Sequence, residues 1–220
     1  METPVIASAS YHETRFPFDH KREIVWQTLC AKYFSKLVEP HFHVLDLGAG
    51  YGHFINNIRG DRKTAVDQWA GFAEYLSEDV HGHVGSVTDL SFLEDASVDF
   101  AFASNLFEHL THEELRSVLH QMSRKLKRHG SLNILQPNYR FAYKEYFDDY
   151  THVSVYSHLS LCDFLAANGF RVLQSIPKFL PFSIKSSGAP VRPWLIDWYL
   201  RSPWKPLAKQ MFVRAQPIQA

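Results

Sequence analysis

The segment 44–54 (VLDLGAGYGHF) constrains the fold more than any other part of the sequence. It joins an apolar run, interrupted by Asp46, to three glycines at alternate positions, Gly48, Gly50 and Gly52. This order predicts a buried parallel strand, a tight turn and then a helix. Glycines let the backbone turn sharply and approach a ligand closely, so we predict a nucleotide-type cofactor site here.

Short apolar runs alternate with amphipathic stretches along the chain, which is typical of a doubly wound α/β sheet. We predict a Rossmann-like sheet, mostly parallel, with an antiparallel last strand and helices on both faces. The 220 residues suit a single domain. Within it we distinguish an N-terminal lid and helix (1–40), a cofactor-binding core (41–177), and a basic, aromatic C-terminal cap with the last strand (178–220).

The predicted strands cover 44–47, 64–66, 82–85, 98–103, 131–135, 170–176 and 210–215. The predicted helices cover 22–37, 53–58, 72–76, 111–129 and 157–168, with Gly130 ending the fourth and Gly169 the fifth. Between the fifth strand and the last helix lies a loop of about twenty residues, 136–155. Loops this long in a compact domain are usually functional.

Asp67 stands 19 residues after Gly48, at the end of the next apolar run. An acid at such a strand end accepts hydrogen bonds from ribose hydroxyls. Further along, GSVTDLSFLEDASVDFAFA (85–103) and SNLFEHL (104–110) each place polar residues beside a predicted strand. These motifs and DLGAGYG resemble the class I S-adenosylmethionine-dependent methyltransferases, in the group that includes ubiquinone-type and other small-molecule enzymes.

The resemblance covers roughly residues 44–176 and implies S-adenosylmethionine as the cofactor. It implies that Ser86 and Val87 lie against the adenine and that Ser104 and Asn105 pass the methionine moiety. Where that family commonly has an acid, this chain has Ser86, so Asp89 is a second candidate for the adenine amino group unless it only caps a turn. The implied cofactor residues are Asp46, Gly48, Ala49, Gly50, Gly52, Asp67, Gln68, Ser86, Val87, Ser104 and Asn105.

Three other functions compete with methyl transfer to a small molecule. A nicotinamide dehydrogenase would have G-x-G-x-x-G, whereas this chain has G-x-G-x-G. A nucleic-acid methyltransferase is disfavoured because basic and acidic residues balance at 23 each, and QPNY (136–139) follows the wrong strand for that class. A non-catalytic subunit or regulator with the same fold remains the alternative function.

Methyl transfer to a hydroxyl, the acceptor group that we predict, needs a base near the cofactor. The candidates are His109 and His152, the latter close to Asp148 and Asp149, which would orient it and raise its basicity. In ubiquinone-type enzymes a stretch similar to SNLFEHL supplies acid, acid and His to a divalent metal. Asn105 replaces the first acid here, so we expect Glu108 and His109 to order the loop rather than to hold a metal.

Both ends of the chain carry candidate binding residues. Related enzymes keep a lid before the first helix, where Arg15 or Arg22 would meet the methionine carboxylate and Tyr11 and Phe16 lie nearby. The loop at 136–155 is rich in rings suited to closing over a flat or glycosidic substrate: Tyr139, Phe141, Tyr143, Tyr146, Phe147 and Tyr150.

From Lys178 onward seven basic residues face one acid, so the preceding 177 residues carry a net charge of −6. The basic segment also holds Trp194, Trp198 and Trp204. It would cap the site and attract an anionic or sugar-like substrate, rest peripherally on a membrane or a partner, or simply connect the last two strands. No transmembrane segment and no secretory signal is evident, so we predict a cytoplasmic protein.

Overall fold

The computed structural model describes residues 19–181 and 191–218. Seven strands form one sheet: β1 His43–Leu47, β2 Arg62–Asp67, β3 Val80–Val84, β4 Val98–Ser104, β5 Leu126–Pro137, β6 Phe170–Pro181 and β7 Ala208–Pro217. Their order across the sheet is β3-β2-β1-β4-β5-β7-β6. Strand β7 runs antiparallel to β5 and β6, and the remaining neighbours pair in parallel. The predicted Rossmann-like sheet with a reversed last strand is confirmed.

Five α-helices flank the sheet in the described chain: α1 His20–Lys32, α2 His112–Lys125, α3 Tyr139–Ala142, α4 His158–Ala167 and α5 Pro193–Arg201. Short 3₁₀ helices lie at Phe34–Lys36, Ala70–Tyr75, Phe107–His109 and Tyr146–Asp148. None of the described helices is long and apolar enough to cross a lipid bilayer.

Strand β1 shows why the helices cover both faces of the sheet. All five of its residues are buried, and successive side chains point to opposite faces. Leu45 and Leu47 belong to the apolar core shared with α2 and α4. Val44 belongs to the second core, with α1 and Phe34. A strand buried on both sides reads as a continuous apolar run, which is what made it recognisable in the sequence.

The helix predicted at 53–58 is wrong, because the chain forms a series of turns there. Two hydrogen bonds of helical spacing are present, including Asn56 N to Gly52 O at 2.9 Å. The Asn56 side chain bonds the backbone of Tyr75 and Ser77, and the Asn57 amide donates to the His53 carbonyl. Asparagine side chains that bond backbone groups in this way compete with a regular helix.

Helix α2 begins as predicted, since Thr111 caps it and Glu114 completes a reciprocal capping box. Its predicted end at Gly130 is wrong, because the helix stops at Lys125 and the chain enters β5 directly. The Lys125 ammonium donates to the Leu93 carbonyl and pairs with Asp95, which fixes the last turn. Gly130 instead passes close to the Val98 carbonyl, beside the irregular pairing of β4 with β5.

The carboxyl ends of β1, β2 and β4 meet at one edge of the sheet because these strands are parallel neighbours. Leu47, Asp67 and Ser104 end the three strands. In open α/β sheets, ligands bind in the crevice outside this edge, where the strand order reverses. The order here reverses between β1 and β4, so the fold places a binding crevice next to the glycine turn.

Candidate active site

A cavity of about 640 Å³ opens at this edge of the sheet. It is lined by the glycine turn, the ends of β2 and β4, the start of α1, and part of the loop after β5. The predicted cofactor residues that line it are Asp46, Gly48, Ala49, Gly50, Asp67, Gln68, Val87, Ser104 and Asn105. The sequence motifs, separated by up to about sixty residues, therefore meet in one place.

The glycine turn is shaped by close contacts on both of its sides. Gly48 has φ +67°, and a Cβ built there would lie 3.0 Å from Leu106 Cδ1, a side chain that also lines the cavity. Gly52 has φ +66°, and its added Cβ would lie 2.9 Å from Asn56 Nδ2. Gly48 therefore keeps the backbone close to the cavity, whereas Gly52 lets the turn pack against the chain that follows.

The Asp67 carboxylate is fixed by two backbone donors. Its Oδ2 accepts a hydrogen bond from Gly50 N at 2.8 Å, and its Oδ1 accepts one from Trp69 N at 2.8 Å. Each oxygen keeps further acceptor capacity. Tyr51 and Trp69 pack edge to face beside it, with ring centroids 5.1 Å apart, and both line the cavity. The site thus offers a fixed carboxylate and an aromatic wall to a ribose and a base.

Asp46 lies deeper, within β1, and is almost fully buried. Burial raises the pKa of its carboxyl well above the usual range, and the nearby Asp67 raises it further. A cation entering the cavity would favour the ionised form of this carboxyl. The sulfonium and amino groups of S-adenosylmethionine are such cations, so the acids at this end fit that cofactor.

Of the residues predicted to contact the adenine, one lines the cavity and two make local hydrogen bonds. Val87 is buried and lines the cavity, while the Ser86 hydroxyl lies 2.8 Å from Thr88 Oγ1 and accepts from Thr88 N. Asp89 accepts from Ser91 N at 3.0 Å, which makes it a turn cap.

Asn105 has the left-handed conformation, with φ +49°, where β4 leaves the sheet. Asparagine tolerates this region better than most residues. Its N–H donates to the Leu135 carbonyl at 2.7 Å, and its side-chain oxygen accepts from Gln210 Nε2 at 3.0 Å. These bonds hold the bend that turns Ser104 and Asn105 along the cavity.

Glu108, His109 and His152 meet at the same cavity, although His152 is more than forty residues further along the chain. The backbone carbonyl of Glu108 accepts hydrogen bonds from Val153 N and Ser154 N, which brings the two segments together. The rings of His109 and His152 lie 4.8 Å apart, centroid to centroid. Glu108 is fully buried, and burial raises the pKa of its carboxyl to about 8.

Each histidine is oriented through Nδ1. His152 Nδ1 lies 2.6 Å from the Tyr146 carbonyl oxygen, so this nitrogen donates. His109 Nδ1 lies 2.9 Å from Thr151 Oγ1, whose own proton goes to Asp149. We predicted that a carboxylate would orient His152 and raise its basicity. Asp149 does raise the pKa of His152, but the Tyr146 carbonyl orients that ring, and Asp149 orients His109 through Thr151. Burial lowers the pKa of His109 to about 4 and also lowers that of His152.

The loop after β5 meets the cavity with acids rather than rings. Glu145, Asp148 and Asp149 line it, and Glu145 pairs with Lys209 at 2.6 Å. None of the six aromatic residues predicted to cover a substrate lines the cavity in the described chain. Tyr146 is buried, and it supports the site through its carbonyl and through a hydroxyl bond to the Ser154 carbonyl.

The terminal predictions are tested only in part. Arg22 lines the cavity, while Tyr11, Arg15 and Phe16 lie outside the described residues. Helix α5 packs on the α1 side of the sheet through Ile196, Tyr199 and Leu200. Its Trp194 and Trp198 are exposed, as is Trp204 beyond it. Peripheral contact with a membrane or a partner remains a prediction for this segment.

Sequence reasoning missed the residues that orient the histidines, Thr151 and the Tyr146 carbonyl. It also missed Tyr51, Trp69 and Leu106 in the cavity wall. A backbone carbonyl has no sequence signal, and the three wall residues read as ordinary apolar positions. Among the sequence features, only the length of the loop at 136–155 indicated this part of the cavity.

Comparison with known proteins supports the same interpretation. Residues 45–134 match the model of a methyltransferase domain family, and this range includes the end of β1, the glycine turn, β2 and β4. No curated protein matches the sequence significantly.

Solved structures of methyltransferases share the fold over nearly the whole chain. A Haloferax volcanii complex of a methyltransferase with its activator matches at 15% identity and TM-score 0.70, covering 97% of this chain and 96% of the other. A SAM-dependent methyltransferase from Archaeoglobus fulgidus matches at 21% identity and TM-score 0.65, covering 95% and 98%. The geranyl diphosphate C-methyltransferase of Streptomyces coelicolor was solved with Mg²⁺ and S-adenosyl-L-homocysteine. It matches at 13% identity and TM-score 0.59, covering 82% of this chain and 72% of the other.

These likenesses show a common fold, and the family match covers the strands that build the glycine turn and the Asp67 site. Residues 45–134 therefore match a methyltransferase domain, and the described chain has the fold of class I S-adenosylmethionine-dependent methyltransferases. The narrow glycine turn and the fixed carboxylate described above fit S-adenosylmethionine as the cofactor.

Proposed function

We propose that this methyltransferase transfers the methyl group to a hydroxyl of a small-molecule acceptor. The proposal depends mainly on one observation: His109 and His152, both neutral at neutral pH because burial lowers their pKa values, line the same cavity as the glycine turn. S-adenosylmethionine supplies an activated methyl group on a sulfonium, so the protein needs only to position the acceptor and take its proton.

His152 is the better candidate for the base. Its Nδ1 donates to the Tyr146 carbonyl, which leaves the lone pair on Nε2. Asp149 favours the protonated form of this ring and offsets part of the effect of burial. For His109, burial and the charge of His152 both oppose protonation, and its pKa falls to about 4. We assign His109 the role of positioning the acceptor.

The charged residues that line the cavity limit which class of acceptor would bind there. Glu145, Asp148 and Asp149 line the same cavity as the histidines, and Arg22 is the only Lys or Arg among the described lining residues. Acids repel an anionic group unless a cation lies between them. We therefore favour an uncharged, sugar-like or phenolic acceptor over the anionic one that the basic C-terminal segment suggested. The cytoplasmic location and the three-part division of the chain stay predictions from the sequence.

Steady-state methyl transfer tests this function. Purified protein, S-adenosylmethionine and a panel of hydroxylated small molecules are assayed for S-adenosylhomocysteine and for the methylated product. We expect His152→Gln to lower kcat about 10²- to 10⁴-fold, the usual effect of losing a general base, with cofactor affinity unchanged. His120→Gln, at an exposed position of α2, is the control. Product methylated only at nitrogen or carbon would refute the hydroxyl acceptor.

A further inference from the structure

Glu108, His109 and His152 form a group whose chemistry goes beyond that of a single base. Each contributes one ligand-type atom, and these atoms all lie within 4.8 Å of one another. Ligands of one tetrahedral ion with bonds of about 2.0–2.2 Å lie about 3.3–3.6 Å apart. The three atoms would therefore need to approach one another by about an ångström to hold an ion, which side-chain rotations can supply.

The Glu108 carboxylate supplies the strongest argument. The side chain is fully buried, and neither of its oxygens has a hydrogen-bond partner in the described chain. Buried polar groups without partners are rare because each costs about 1–3 kcal/mol, and more when charged. The carboxylate faces the cavity beside two imidazoles. A cation bound there would give both oxygens the partner that the surrounding protein does not provide.

The two histidines are oriented in the manner of metal ligands. His152 donates through Nδ1 to the Tyr146 carbonyl, and His109 donates through Nδ1 to Thr151. Such a bond fixes the tautomer with the lone pair on Nε2 and directs that nitrogen toward the ion. Thr151 in turn donates to Asp149, so a carboxylate supports the His109 ring through the threonine hydroxyl.

We infer that Glu108, His109 and His152 bind a divalent transition-metal ion of the zinc type. Two imidazoles and one carboxylate suit Zn²⁺ and its neighbours, whereas Mg²⁺ and Ca²⁺ prefer oxygen ligands. The inference departs from our expectation from the sequence that the site holds no metal, which considered Glu108 and His109 without His152.

The ion would change the role of the histidines, and this part of the inference depends on the proposed hydroxyl acceptor. Three protein ligands leave a coordination position open toward the cavity. An acceptor hydroxyl bound there through its oxygen would lose its proton more readily, as water does on zinc. The Nε2 lone pairs would then hold the ion instead of taking the proton, and the proton would leave to solvent water as the oxygen takes the methyl group.

Metal binding is tested without any acceptor. Full-length protein is stripped with a chelator and titrated with Zn²⁺ by calorimetry, and with Co²⁺ by visible absorption. We expect one ion per chain, with a Kd in the micromolar range or below. Glu108→Gln and His152→Gln should each weaken binding about 100-fold or more. The controls Glu113→Gln and His112→Gln, at exposed positions of α2, should bind like wild type.

Several results would overturn the site. These are no Zn²⁺ binding by wild type at about 100 μM, equal binding by Glu108→Gln, or a preference for Mg²⁺ over Zn²⁺. Retained thermal stabilisation by S-adenosylhomocysteine shows that each variant is folded. Metal binding without methyl transfer to any hydroxyl would refute the proposed function alone. Methyl transfer without metal binding would refute the metal site alone.

Discussion

The two walls of the cavity are built in different ways. The cofactor wall is formed by 46–69, and it presents the backbone of the glycine turn and two carboxylates, Asp46 and Asp67. The acceptor wall combines Glu108 and His109 with the segment 145–152, and it consists of titratable side chains. Backbone groups bind a ligand in the same way whatever the neighbouring side chains are, so such a wall suits a cofactor that does not vary. A wall that holds the buried Glu108 and His152 beside more exposed acids can change its chemistry with one substitution, so we predict that acceptor choice depends on this wall.

Removing Asp67 should produce the largest effect on the cofactor wall. A ligand at one hundred times its Kd stabilises a protein by about 2.7 kcal/mol. We expect Asp67→Ala to abolish this stabilisation by S-adenosylhomocysteine, because ribose loses its acceptor and the glycine turn loses its bond from Gly50. Thermal shift at several ligand concentrations measures it. Asp61→Ala, at an exposed position before β2, is the control. Undiminished stabilisation of the Asp67 variant would refute the assignment of this wall.

A pair of glycine substitutions separates backbone strain from lost space. Gly48→Ala and Gly169→Ala both force a side chain into positive φ, at +67° and +82°. Each should lower the free energy of unfolding by about 1–2 kcal/mol in urea. Only Gly48→Ala should also weaken S-adenosylhomocysteine binding, because its Cβ meets Leu106 whereas nothing lies within 4 Å at Gly169. Equal cofactor affinity in the two variants would show that the close approach at Gly48 is unimportant.

The opposite edge of the sheet should show only a small effect of pH. His43 bonds the Ser97 carbonyl and Thr64, and burial lowers its pKa. At pH 7.5 the His43 ring is neutral in both the folded and the unfolded chain. Below about pH 6.5 the unfolded chain takes up a proton that the folded chain resists, so the free energy of unfolding falls with falling pH.

Urea unfolding at pH 7.5, 6.5 and 5.5 tests this contribution. The loss of stability on acidification should be smaller in His43→Gln than in wild type, while the exposed His41→Gln should behave like wild type. An unchanged pH dependence in His43→Gln would show that the buried ring accepts a proton as easily as an exposed one. Cofactor binding should be the same in both variants, since neither residue lines the cavity.

Local patterns explain why some elements were predictable. Strand β1 is buried on both faces, and helix α2 carries a reciprocal cap, so each has a signal within its own residues. The turns at 53–58 and the end of α2 at Lys125 were missed because distant partners decide them. Asn56 bonds Tyr75 and Ser77, and Lys125 bonds Leu93 and Asp95.

The sequence by itself predicted the cofactor wall, because a strand, a glycine turn and a strand-end acid lie within 24 residues and their chemistry is local. It also indicated His109 and His152 separately. Only the tertiary structure decided that they meet at Glu108, with its carboxylate buried and without a hydrogen-bond partner in the described chain. The physical reason is that burial, and with it the pKa of a side chain, depends on neighbours from distant segments, which no local pattern records.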